Sequence, residues 1–138
     1  MYLTIDDIKT GIYAETLNVL TRSETNVNQA ITEAMEEVRG YLCARYDMEE
    51  EYAKTGASRN VRVFGIVRDI AIFNCFKMSN PANLHEVRQM IYKDCISSLQ
   101  RIQAEKESIL GLTRLTDKPG GGSNYIAYGG NKKRNNNW

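Results

Sequence analysis

Reactive side chains in this sequence are few and widely spaced. Nucleophilic catalysis of the Ser/His or Cys/His kind needs an imidazole to accept the proton, and His85 is the sole histidine. Its position, in the first turn of a predicted helix, is that of a surface polar residue. Cys43, Cys75 and Cys95 fall in three different predicted helices, unlike the close pairs of zinc sites, so they are expected to be buried as small apolar residues. Paired carboxylates for acid–base chemistry could be drawn from Glu33, Glu36, Glu37 and the run Glu49-Glu50-Glu51. None stands in an apolar stretch that would raise its pKa, and solvated charge is the expectation. Asp69 differs, because it interrupts the most hydrophobic segment; Arg45 or Arg68 would supply its partner in a structural ion pair. Gly120-Gly121-Gly122-Ser123 lacks the Lys-Ser/Thr pair and the strand–loop–helix setting of a phosphate cradle, and reads as linker. No catalytic set, metal, cofactor or small-molecule substrate is expected from these residues.

What must carry such side chains is a small all-α fold. The chain has 138 residues, 42% of them hydrophobic, enough for one core. Met1-Tyr2-Leu3-Thr4 runs at once into Asp6 and Asp7 rather than into an apolar core, so no secretory signal is expected and the chain should remain in the cell that makes it. The most apolar segment, Ile66 to Phe76, is broken by Arg68, Asp69 and Asn74, and no membrane span is expected. The net charge of +1 hides an asymmetry: residues 1–54 hold 5 Lys/Arg and 11 Asp/Glu (−6), whereas residues 55–138 hold 13 and 6 (+7). Such polarity makes head-to-tail contact between identical copies electrostatically favourable.

Thr4, followed three residues later by Asp7, predicts a capped short helix over about 5–10. Ile12, Leu17, Val19 and Leu20 predict a second short piece ending near 21–23. The strongest periodicity runs over 27–46, where Val27, Ile31, Ala34, Val38, Tyr41, Leu42 and Arg45 recur at steps of three and four, with Asn26 as cap. Thr32, Glu33, Glu36, Glu37 and Arg39 face outward, and Gly40 implies close approach by a neighbour. Residues 47–59 read as a polar connection. A second long helix, about 58–78, carries apolar residues on most sides and belongs at the centre of the bundle. Ser79-Asn80-Pro81 ends it. A third runs over about 82–106 with Leu84, Val87, Met90, Ile91, Cys95, Leu99 and Ile102 inward. Ile109 to Leu112 is either a further turn or the start of an extended arm.

The domain boundary is placed at 117/118. Residues 1–117 form the helical domain, and 118–138 form a Gly-rich tail with Lys118, Lys132, Lys133 and Arg134, no acid, and the aromatic residues Tyr125, Tyr128 and Trp138. Such a segment is typical of an arm that orders on a partner, with Tyr125, Ile126, Tyr128 and Trp138 as anchors and Lys132, Lys133 and Arg134 steering it to an acidic surface. The same basic, aromatic composition is the one feature that favours nucleic acid as an alternative partner, in a small binding or regulatory protein.

Several of these stretches also carry a likeness. Tyr2-x-Thr4-x-Asp6-Asp7-Ile8, then Ala30-Ile31-x-x-Ala34-x-x-x-Val38-x-x-Tyr41-Leu42-x-x-Arg45-Tyr46, then Arg68-Asp69-Ile70-Ala71 and a last long helix with Tyr92 and Leu99 together resemble the head–tail adaptor (connector) proteins of Mu-like tailed phages and prophages. Asp47-Met48-Glu49 stands where that family often has a proline-containing stretch. The resemblance implies a non-catalytic α-helical subunit that self-associates into a ring, contacts portal and tail-completion proteins, and passes from the bacterial cytoplasm into the virion head–tail junction.

Overall fold

The computed structural model describes residues 1–12, 24–79 and 86–117. Five α-helices form there: α1 (Ile5–Lys9), α2 (Glu24–Leu42), α3 (Met48–Tyr52), α4 (Val61–Ser79) and α5 (Glu86–Gln103), with 3-10 turns at Gly56–Ser58 and Leu115–Asp117. The described residues contain no strand, and an isolated antiparallel bridge joins Tyr46 to Arg114. The fold is all-α, a bundle of three long helices. Asn74 on α4 donates to the Ala30 carbonyl on α2, Phe73 stacks on Tyr92 of α5, and the Tyr92 hydroxyl donates to Glu37 of α2. These contacts set α2 and α5 parallel to each other and α4 antiparallel to both. Among the described residues, no helix is long and apolar enough to cross a membrane.

On α2 the buried stripe is Val27, Ala30, Ile31, Ala34, Val38 and Leu42. Spaced by three and four, these side chains share one helix face and meet α4. The helix starts before Asn26, which therefore lies within its first turn rather than capping it, and it stops at Leu42, leaving Arg45 in the following turn. Gly40 overturns the expectation of close packing. It is exposed, with no described residue within 4 Å of where a Cβ would sit, because it points away from a stripe that Val38 and Leu42 direct inward. α4 is central as expected, burying Val63, Ile66, Val67, Ile70, Ala71, Ile72, Asn74 and Cys75 against α1, α2 and α5.

α5 buries Cys95, Leu99 and Ile102, with Ile91 half-buried beside them. Val87 and Met90 are corrected to the surface, at 64% and 62% exposure. At 100° per residue, Met90 is turned about 140° and Val87 about 80° from Cys95, so neither shares its line to the core. Cys43 is exposed as well, one residue past the end of α2, whereas Cys75 and Cys95 are buried and burial pushes both thiols up to about 11. The second short N-terminal piece, Leu84 and the whole tail lie outside the described residues.

The connections are more ordered than a polar composition implies. Asp47 caps α3 by accepting from the Glu50 amide, so the expected polar connection contains a helical turn. After α5, Glu105 takes a left-handed φ of 62°, and the Lys106 and Glu107 amides both return to the Arg101 carbonyl. That closure turns the chain back over the bundle end. Leu110 and Gly111 form a turn, with Ile109 and Leu112 buried on either side of it, so 109–112 is a further turn packed on the bundle and not the start of an extended arm. At the other terminus Tyr2 and Leu3 are buried; Thr4 caps α1 as predicted, and Asp7 returns the bond to the Thr4 amide to complete a reciprocal capping box.

Candidate functional site

The polar side chains of this protein gather at one end of the bundle, where α2 and α5 finish and α4 begins. The innermost is Glu51. Its side chain is wholly buried, and its carboxylate accepts from the Tyr2 hydroxyl at 2.8 Å, the Asn60 amide at 2.5 Å and the Lys54 ammonium at 2.9 Å. Solvated charge is thus the wrong reading for Glu51, although Glu49 and Glu50 are exposed. A run of three acids on a helix turns one of them inward every circuit, and only the fold says which. Burial, followed by the bond to Glu51, drives the Tyr2 phenol pKa far above its usual range. Beside it Arg59 donates to the Tyr2 carbonyl at 2.8 Å and to Asp7 at 2.9 Å. Desolvation works to raise the Asp7 pKa, but the bonds from Arg59 and from Thr4 outweigh it and hold the carboxyl below its ordinary value.

At the same end of the bundle guanidinium groups gather on residues 102–108. Arg45 donates to the Ile102 carbonyl, to the Glu107 carbonyl at 2.9 Å and to the Ser108 hydroxyl at 3.3 Å. Arg62 donates to the Glu107 carboxylate at 3.1 Å and the Ser108 carbonyl at 3.5 Å; Arg101 reaches the same carboxylate at 3.3 Å. Arg114 reaches the Ser108 hydroxyl at 3.5 Å. Two of these cations, Arg62 and Arg101, therefore share the Glu107 carboxylate, while Arg45 and Arg114 hold the backbone and the hydroxyl beside it. Desolvation pushes the Glu107 pKa up, but the bonds from Arg101 and Arg62 outweigh it and hold the carboxyl below its ordinary value. The Tyr-Leu-x-x-Arg-Tyr stretch is explained by this geometry: Arg45 holds carbonyls at the end of α5, and the Tyr46 hydroxyl accepts from the Ile109 amide at 2.9 Å.

Against these arginines lies an open groove of about 600 Å³, lined by Ser58, Arg59, Asn60, Val61, Arg62, Ser108, Leu110 and Gly111. Asn60 joins its walls, its side-chain oxygen accepting from the Arg62 and Val63 amides at the start of α4 while its amide donates to the Leu110 carbonyl. Val61 and Leu110 project into solvent at 84% and 91% exposure. A cationic groove with two bare apolar side chains is suited to gripping an acidic, partly apolar surface. Sequence reading missed it, since Arg59 and Arg62 stand some 50 positions from Ser108, Leu110 and Gly111, and the chain reversal at Glu105 brings the two segments together.

The residues nominated from the sequence do not meet here. His85 and the tail residues Tyr125, Ile126, Tyr128, Lys132, Lys133, Arg134 and Trp138 lie outside the described residues. Cys43, Cys75 and Cys95 remain apart, and among the described residues no group of three His, Cys, Asp or Glu side chains is placed to hold a metal. Asp69 pairs with Arg68 at 3.6 Å rather than with Arg45, which is engaged at the arginine cluster. Desolvation raises the Asp69 pKa, only partly offset by Arg68 and Arg88. The Arg68 Nε is itself buried without a hydrogen-bond partner among the described residues.

Comparison with known proteins adds one finding. The sequence model of the family described as Bacteriophage Mu, Gp36 matches residues 2–126. No curated protein and no solved structure matches the chain. The matched span takes in the Tyr2–Glu51 lock, all three long helices and the whole arginine cluster, and it runs on to Tyr125 and Ile126. The chain belongs to the bacteriophage Mu Gp36 family, and is a Mu-like phage protein.

Proposed function

We propose that this chain is a structural subunit of the phage head–tail junction, a non-enzymatic adaptor that self-associates into a ring joining portal to tail. The observation that carries the reading is the family match over residues 2–126, laid on a helical bundle whose buried polar groups are engaged in holding its own segments together. An adaptor needs two unlike flanks and an extension that docks on the adjoining ring. The −6 and +7 parts of the chain supply the flanks, and residues 118–138 supply the extension. In it Tyr125, Ile126, Tyr128 and Trp138 act as anchors, and Lys132, Lys133 and Arg134 steer toward an acidic surface.

Particle assembly tests this directly. Loss of the gene should yield DNA-filled heads and separate tails, and a chain lacking 119–138 should fold and melt as the full chain does while failing to join them. Normal joined particles without the gene would overturn the junction role; normal joining by the truncated chain would overturn only the role of the tail. The arginine cluster favours one second reading, a nucleic-acid-binding protein. Retention on duplex DNA that falls steeply with salt, and is lost with the basic side chains, would favour it.

A further inference from the structure

Among the described residues no other element covers the outer face of α2, where Glu33 accepts from Gln29 and Glu36 from Arg39 along the helix itself. Glu33, Glu36, Gly40, Cys43 and Ala44 are all exposed, at steps of three and four along the helix and just past its end. Two acids thus lead into a strip of very small side chains. At its middle Gly40 weakens the helix relative to alanine, with no atom of the described residues within 4 Å of its absent side chain to account for it. At the end of the bundle the groove presents the converse: Val61 and Leu110 stand proud, and Arg62 and Arg101 share a single carboxylate, Glu107, which leaves positive charge at its rim.

We propose that these two surfaces are mates, the groove end of one copy receiving the α2 outer face of the next. Leu110 and Val61 pack on the shallow strip at Gly40, Cys43 and Ala44, while Glu33 and Glu36 meet the arginine rim. The glycine is then explained by close approach of a neighbouring copy rather than of a neighbouring helix. Opposite charge and complementary relief select a second copy over the chain's own tail, which is cationic like the groove. Because the two surfaces differ, the contact is head-to-tail and repeats from copy to copy. The inference rests on the ring reading and names the surfaces that build it.

Leu110→Cys in the full-length chain provides the test, because Cys43 is exposed while Cys75 and Cys95 are buried. Mild oxidation with oxidised glutathione should link position 110 of one copy to Cys43 of another, giving a ladder beyond the dimer, with the linkage identified by peptide mass spectrometry. Gly40→Gln should raise the melting temperature of the subunit yet lower the ladder yield at least tenfold, a combination that a purely intramolecular role for Gly40 does not produce. Cross-links confined to Cys43–Cys43, a yield no higher than wild type, or full yield with Gly40→Gln would each overturn the pairing of these surfaces. The junction role would survive those results, since it is judged by the particle phenotype. Binding of a duplex DNA oligonucleotide that Leu110→Glu abolishes would assign the groove to nucleic acid and overturn the inference.

Discussion

Glu51 shows how one acid can be structural while its sequence neighbours are solvent-facing. Its three partners come from the N-terminal segment, from just past the end of its own short helix and from the residue before α4, so removing the carboxylate strands donors on three separate pieces of chain. Breaking a buried charged network by deleting one member is worth roughly 3–5 kcal/mol, whereas losing one hydroxyl donor is worth about 1 kcal/mol. Glu51→Ala is therefore expected to destabilise by about 3–5 kcal/mol and Tyr2→Phe by about 1 kcal/mol, read by urea denaturation. Asp7 makes a different, pH-dependent contribution. Its folded pKa is lowered, so its stabilisation is present above the value of about 4 typical of an unfolded aspartate and is lost as the pH falls through the lowered folded value. Asp7→Asn, which also removes the carboxylate from the α1 capping box, should cost about 1–2 kcal/mol at pH 7. The gap from wild type should narrow as denaturation is repeated toward pH 3; a constant gap would show that the charge is not what matters.

Helices were legible in this sequence in proportion to how one-sided they are. α2 has a clean apolar stripe, and its predicted inward residues are buried apart from Tyr41, half-buried, and Arg45, which lies beyond the helix end. α1 was marked by the Thr4 and Asp7 pairing, which is a local bond between residues three apart and needs no tertiary knowledge. α5 was read less well, because Val87 and Met90 are apolar without lying on its buried line. The chain reversal after α5 was not legible at all: it depends on Arg45 holding the Ile102 and Glu107 carbonyls, a contact spanning some 60 positions. The same limit hid the arginine groove. Gly40 illustrates how a correct local inference can be given the wrong neighbour. Glycine in a helix does call for an explanation, but the space beside it is open, so Gly40→Ala should meet no clash and stabilise the isolated subunit by about 1 kcal/mol. Differential scanning calorimetry on dilute protein checks this; a lower melting temperature would mean that something within the chain occupies the space after all.

Charge is distributed over the molecule so that its internal pairs leave the asymmetry largely in place. Arg59–Asp7 joins the acidic and basic parts of the chain, while Lys54–Glu51 and Arg39–Glu49 lie within the acidic part and Arg62–Glu107 and Arg101–Glu107 within the basic part. Pairing inside a part does not cancel its net charge. Two copies meeting acidic face to basic groove therefore attract over the distance that salt permits, about 30 Å at 0.01 M and about 3 Å at 1 M. Folding responds differently, since the exposed pairs add little to stability and the buried Glu51 lock is shielded from counterions. Raising sodium chloride over that range should lower the self-association constant at least tenfold while moving the melting temperature by only a few degrees, as followed by light scattering and circular dichroism. Some association should persist at the upper limit, because burial of Val61 and Leu110 is not screened by salt. Association that strengthens steadily with salt would show that apolar contact alone holds the copies together, and that the opposed charges of the two parts of the chain serve some other partner.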